Sequence, residues 1–124
     1  MTNPDKKVLV VEDDQDFLWI LKQGFVGKGF SVAFAEDGEE GLKKAEEMNP
    51  DLILLDILMP KMDGITVAKE LKRKGIKSQI IFLTNLMGKL PVAEKMVEEN
   101  DYIIKADFHL DQIIVKVKEK LGIK

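Results

Sequence analysis

The chain has 124 residues, of which 45% are hydrophobic and 33% charged, with a formal net charge of -3 from 19 Lys+Arg and 22 Asp+Glu. This composition excludes a disordered chain, and a chain of this length buries enough surface to hold a core without metal or disulfide staples. Cysteine is absent and His109 is the sole histidine, so a disulfide scaffold, thiolate chemistry and a His-based zinc site are excluded. The missing basic excess argues against binding to a nucleic-acid backbone, and no apolar run nears the ~18 residues of a membrane span. The polar Met1–Lys7 segment has no signal-peptide core behind it, so a cytoplasmic setting is expected.

In chain order, Val8–Val11 is an apolar run that predicts a covered strand. Glu12, Asp13 and Asp14 follow, with Asp14 suited to cap a helix starting at Gln15. Phe17, Ile20, Leu21, Gly24 and Phe25 fall on one helical face. Phe30–Phe34 alternates and carries Ser31, the pattern of an edge strand. Leu42, Ala45 and Met48 mark a second helix, and Leu52–Leu55 a third strand ending at Asp56. Ile65, Ala68 and Leu71 mark a third helix, and Ile80–Leu83 a fourth strand ending at Thr84 and Asn85. A short stripe over Pro91–Glu99 predicts a helix with proline in its first turn. Tyr102–Ile104 is the fifth strand, ending at Lys105, and Leu110, Ile113, Ile114, Val117 and Leu121 form the last helix, opened by His109. Gly27, Gly29, Gly75 and Gly122 stand where helices should stop. The strands begin near 8, 30, 52, 80 and 102, so a βα unit recurs five times and predicts one α/β domain built on a parallel sheet.

Ligands of an open α/β sheet bind beyond the carboxyl ends of its strands, where the strand order reverses. If strands 1, 3 and 4 are neighbours, Glu12, Asp13, Asp56, Thr84 and Lys105 share one rim. Two carboxylates 4 Å apart repel by about 4 kcal/mol at an effective dielectric of ~20, so three together call for a cation or a proton. Hard oxygen donors without nitrogen or sulfur suit Mg²⁺, with Mn²⁺ as a substitute, and the metal and Lys105 together would balance the three acids. Asp56 has the chemistry of a nucleophile toward phosphorus. Each residue alone has a plainer reading: Glu12 and Asp13 as a solvated loop, Thr84 as a strand residue, Lys105 as a surface lysine, and Met59, Met62 and Met96 as packing. Convergence of several strand ends is what favours function.

These residues also form a known pattern. The acidic pair Glu12-Asp13, the run Asp56-Ile57-Leu58-Met59-Pro60-Lys61-Met62-Asp63-Gly64 (D-x-x-M-P-x-x-D-G), Thr84, and Asp101-Tyr102-Ile103-Ile104-Lys105 occur in order. From Lys7 to about Leu121 the chain resembles the receiver domain of two-component response regulators. The resemblance implies a flavodoxin-like (βα)5 fold with strand order 2-1-3-4-5. It implies that Asp56 accepts a phosphoryl group from a histidine kinase or a histidine phosphotransfer protein. Asp13, Asp56 and the backbone carbonyl of Leu58 would bind Mg²⁺, and Glu12 would act through a metal-bound water. Thr84 and Lys105 would hold the phosphoryl oxygens. Tyr102 would move with Thr84 and alter the face made by the 91–99 helix, the fifth strand and the last helix. Pro60 and Gly64 would shape the loop and open the third helix.

Two positions depart from the common pattern. Many members have proline after the lysine, where this chain has Ala106; because a non-proline cis bond costs ~2.5–4 kcal/mol, a trans bond is expected. The residue after Thr84 is commonly small and here is Asn85, which, with Leu58, is expected to modulate dephosphorylation.

On this reading the protein is a signalling phosphoacceptor that catalyses only its own phosphorylation and slow autodephosphorylation. Its output would be contact with an unidentified protein target, as a monomer or as a weak homodimer linked to phosphorylation. Residues 1–124 read as a single receiver domain with no output domain in this chain, either a stand-alone regulator, the reading favoured, or the receiver cut from something longer. An aspartyl phosphatase of the haloacid-dehalogenase type would need an acid where Leu58 stands. A flavodoxin would need a hydroxyl- and glycine-rich loop where Glu12-Asp13-Asp14 stands. A receiver-like module that binds partners without phosphorylation is the main alternative.

Overall fold

A computed structural model describes residues 6–85, 101–105 and 109–123. Five parallel strands, β1 (Lys7–Val11), β2 (Ser31–Ala35), β3 (Leu52–Asp56), β4 (Gln79–Thr84) and β5 (Asp101–Ile104), form one sheet in the order β2-β1-β3-β4-β5. The helices among the described residues are α1 (Gln15–Phe25), α2 (Gly38–Met48), α3 (Gly64–Arg73) and α4 (Leu110–Leu121). Every strand begins within one residue of its expected start, and the alternating β2 is an edge strand as expected. The helix expected over 91–99, Met96 and the Lys105–Ala106 bond lie outside the described residues.

The near-continuous apolar strands have a helix layer on each face. Because side chains alternate along a strand, Val8, Val10, Leu52, Leu54, Ile81 and Leu83 share one face. They pack against Phe17, Leu18, Leu21 and Phe25 of α1 and Ile113, Val117 and Leu121 of α4. The alternate residues Leu9, Val11, Ile53, Leu55 and Phe82 pack against Ala45 of α2 and Val67, Ala68 and Leu71 of α3. Burying each of the larger side chains is worth about 1.5–3 kcal/mol, and together they fix the register of β1, β3 and β4.

The helix ends follow local chemistry. Asp14 caps α1 by accepting from the N–H groups of Asp16 and Phe17, Asp37 caps α2 and Asp63 caps α3. His109 opens α4 as expected, but its side chain makes no cap hydrogen bond; the backbone carbonyl alone accepts from Gln112 and Ile113. The four glycines expected at helix ends all have positive φ, and Asn49 takes the same left-handed conformation after α2. Among the described residues no helix is long and apolar enough to cross a membrane.

Candidate functional site

The strand order reverses between β1 and β3, since β1 pairs with β2 on one side and β3 on the other. Register brings the candidate residues to this point. Val11 pairs with Leu55, so Glu12 is level with Asp56; Asp56 pairs with Leu83, one residue before Thr84; and Thr84 pairs with Ile104, one residue before Lys105.

Four of the five expected residues are shielded from solvent. Glu12 and Thr84 are fully buried, Asp56 is 3% exposed and the Lys105 side chain 9%, while Asp13 is half-buried. One carboxylate oxygen from each of Glu12, Asp13 and Asp56 lies within 4.8 Å of the other two. Lys105 Nζ lies 2.8 Å from Glu12 Oε1 and donates to Asp56 Oδ2 at 3.4 Å. Glu12 Oε2 accepts from the Asp14 N–H at 3.0 Å. Among the described residues Glu12 Oε1 has no hydrogen-bond partner beyond its ion pair with Lys105.

The charge balance explains the titration behaviour. Burial first, then the hydrogen bond and charge of Glu12 and a hydrogen bond with Asp13, together push the Asp56 carboxyl from its ordinary 3.8 up to about 8 against the opposing charge of Lys105. For Lys105, burial works against the ammonium, but contact with Glu12 and the charge of Asp56 outweigh it and its pKa is raised. One cation among three carboxylates leaves a net negative site. A buried carboxylate oxygen without a hydrogen bond, beside two further hard oxygen ligands, fits a small divalent cation such as Mg²⁺ or Mn²⁺.

The loop from Asp56 to α3 is held tightly against the strands. The Ile57 N–H donates to the Leu83 carbonyl and the Gly64 N–H to the Ile57 carbonyl. A Cβ at Gly64 would stand 2.1 Å from the Asp56 carbonyl oxygen, so glycine is required there by close approach. Lys61 carries a positive φ of 68° within this loop. Met59 is buried and Met62 packs against the core, as expected, while Leu58 is exposed.

The other expected residues sit at the margin. Asn85 follows Thr84 and is exposed. Tyr102 is 49% exposed and pairs in register with Phe82, two residues before Thr84. Sequence reasoning missed Phe17, whose ring centroid is 4.7 Å from Lys105 Nζ. Its place on the apolar stripe of α1 marks it only as core, and no local signal links it to a lysine 88 positions on.

Fold and site together define an α/β protein with a buried carboxylate–lysine cluster at the topological switch point of its sheet. The sequence model of the response regulator receiver domain matches residues 8–118. The chemotaxis protein CheY of Bacillus subtilis is 33% identical over 119 residues, covering 94% of this chain and 98% of CheY. The receiver domain of a Francisella response regulator superposes with a TM-score of 0.84 at 31% identity, covering 95% of this chain and 98% of that one. Response regulator TrrA of Thermotoga maritima, solved in complex with Mg²⁺-BeF, superposes with a TM-score of 0.79 at 34% identity, covering 93% and 98% of the two chains. The chain belongs to the receiver domain family of two-component response regulators, a family of signalling proteins with the flavodoxin-like fold. It spans 33% to 51% of the length of the transcriptional regulators it matches.

Proposed function

We propose that this receiver takes a phosphoryl group onto Asp56 from a phosphohistidine on a sensor kinase or a histidine phosphotransfer protein. The observation that carries the reading is the three-carboxylate cluster around buried Asp56, faced by the Lys105 ammonium. A likeness to TrrA, which was solved with Mg²⁺-BeF, supports it.

On this reading Asp13, Asp56 and the carbonyl of Leu58 would hold Mg²⁺, and Glu12 would act through a water. Such an ion would supply positive charge against the phosphoryl oxygens. An Asp56 carboxylate oxygen forms the new bond to phosphorus while the P–N bond to the donor imidazole breaks, the electron pair staying on the nitrogen, which is then protonated from solvent. Asp56 must be ionised to attack, so lowering its raised pKa is part of what a bound cation does for it. The Lys105 ammonium turns from Asp56 Oδ2 to a phosphoryl oxygen, and the Thr84 hydroxyl takes another.

The acquired charge then draws Thr84 toward the phosphoryl group. Tyr102, half out of the surface, follows and changes the face formed by β5 and α4, where a downstream protein target binds. A phosphorylation-linked homodimer through the same face is part of this reading. Leu58 and Asn85 flank the site and tune the lifetime of the phosphorylated form. The test is intact mass after incubation with acetyl phosphate and Mg²⁺. A gain of ~80 Da that disappears in Asp56→Ala and without metal is expected from an aspartyl phosphate. No gain, together with no response of Trp19 fluorescence or NMR shifts to beryllofluoride, favours a phosphorylation-independent interaction module.

A further inference from the structure

The Lys105 ammonium has three N–H groups and three neighbours: Glu12 Oε1 at 2.8 Å, Asp56 Oδ2 at 3.4 Å and the face of the Phe17 ring at 4.7 Å from its centroid. We infer that Phe17 is a positioning residue for phosphoryl transfer, its ring holding the Lys105 ammonium over Asp56. The inference rests on the phosphoacceptor reading for its purpose and on the geometry alone for the contact.

The ring is suited to this task because it is neutral. A cation above an aromatic face is attracted by the ring quadrupole, more strongly when both are desolvated. Phe17 is 8% exposed and the Lys105 side chain 9%, so water does little to screen the pair. A fourth carboxylate in this place would deepen the repulsion among Glu12, Asp13 and Asp56 and compete with a phosphoryl oxygen for the lysine. The ring does neither, and its attraction persists when the Asp56 oxygen is engaged with phosphorus. It is also fixed relative to the acidic loop. The Asp14 carboxylate accepts from the Phe17 N–H at 3.2 Å, and the Asp14 N–H donates to Glu12 Oε2 at 3.0 Å. One residue therefore ties both the ring and Glu12, the two groups that bracket the ammonium, to the end of β1.

The test has one arm that needs no phosphorylation. In protein carrying ¹³C-labelled lysine, the Lys105 ε-methylene protons, assigned by their loss in Lys105→Met, should resonate upfield of the other lysines through the ring current. They should return to the ordinary range in Phe17→Leu and stay upfield in Phe17→Tyr. An ordinary shift in the wild type overturns the contact. In the second arm, Phe17→Leu should slow phosphorylation by acetyl phosphate about three- to thirtyfold, the range from a partly screened to a desolvated cation–π contact. It should cause no further slowing in the Lys105→Met background. Equal slowing in both backgrounds marks Phe17 as core packing only and overturns the inference. If Phe17→Leu folds poorly, difluorophenylalanine at position 17 keeps the shape and weakens the ring face; an unchanged rate with it also overturns the inference. A wild type that takes no phosphoryl group refutes the phosphoacceptor reading instead, and the NMR arm still decides the contact.

Discussion

Replacing Asp56 by asparagine should stabilise the metal-free protein, and more so as pH rises. The folded-state pKa of Asp56 is raised from 3.8 to about 8, chiefly by burial and then by Glu12. A group raised in the folded state contributes stability that is fully present below its unfolded pKa and is lost as pH rises through the folded value. The wild type should therefore weaken across the window from 3.8 to about 8 for a reason the asparagine variant lacks. At 1.36 kcal/mol per pK unit, this one group tilts stability by at most about 3 kcal/mol between roughly pH 5.5 and pH 8. Titrations of groups remote from Asp56 cancel in the difference, whereas those of Glu12 and Lys105, which touch it, are part of what the substitution removes. Urea unfolding of both in EDTA across this range measures it: the advantage of Asp56→Asn should widen with pH. A constant gap, or one that narrows, refutes the idea that Asp56 is held against ionisation. Saturating Mg²⁺ should narrow the gap, because a ligand at about 100 times its Kd adds about 2.7 kcal/mol to the form that binds it.

Other outcomes follow from single contacts. Gly64→Ala should cost about 2–4 kcal/mol in urea unfolding, since its Cβ collides with the Asp56 carbonyl rather than with a side chain that can give way. Asp14→Ala should cost about 1 kcal/mol through the lost cap of α1, while the fold judged by circular dichroism stays the same. Asn85→Ala should change the lifetime of the phosphorylated protein without changing stability by more than about 0.5 kcal/mol, because the residue is exposed; an unchanged lifetime removes Asn85 from the account.

Much of the fold was legible because burial on both sheet faces leaves its mark on each strand. Val8–Val11, Leu52–Leu55 and Ile80–Leu83 are apolar almost without interruption, and the structure shows them central, whereas Ser31 broke the pattern where β2 lies at the edge. Asp14 as a cap and Gly122 as a stop were readable from local chemistry alone. The site was legible in part: an acid following an apolar strand is conspicuous, and Glu12, Asp13, Asp56 and Lys105 do converge. Phe17 was not, because a ring that stacks on a distant lysine has the same sequence signature as one that fills the core. Nor was the missing cap of His109, since capping depends on a side-chain rotamer that the sequence does not set.

The central claim is that Asp56 carries the phosphoryl group, and trapping that bond at residue level tests it most directly. Protein incubated with acetyl phosphate and Mg²⁺ is reduced with borohydride, which converts an aspartyl phosphate to homoserine, and the digest is read by peptide mass spectrometry. The account predicts homoserine at position 56 alone, and none when metal is omitted. Homoserine at Asp13 or another carboxylate, with Asp56 intact, would contradict it.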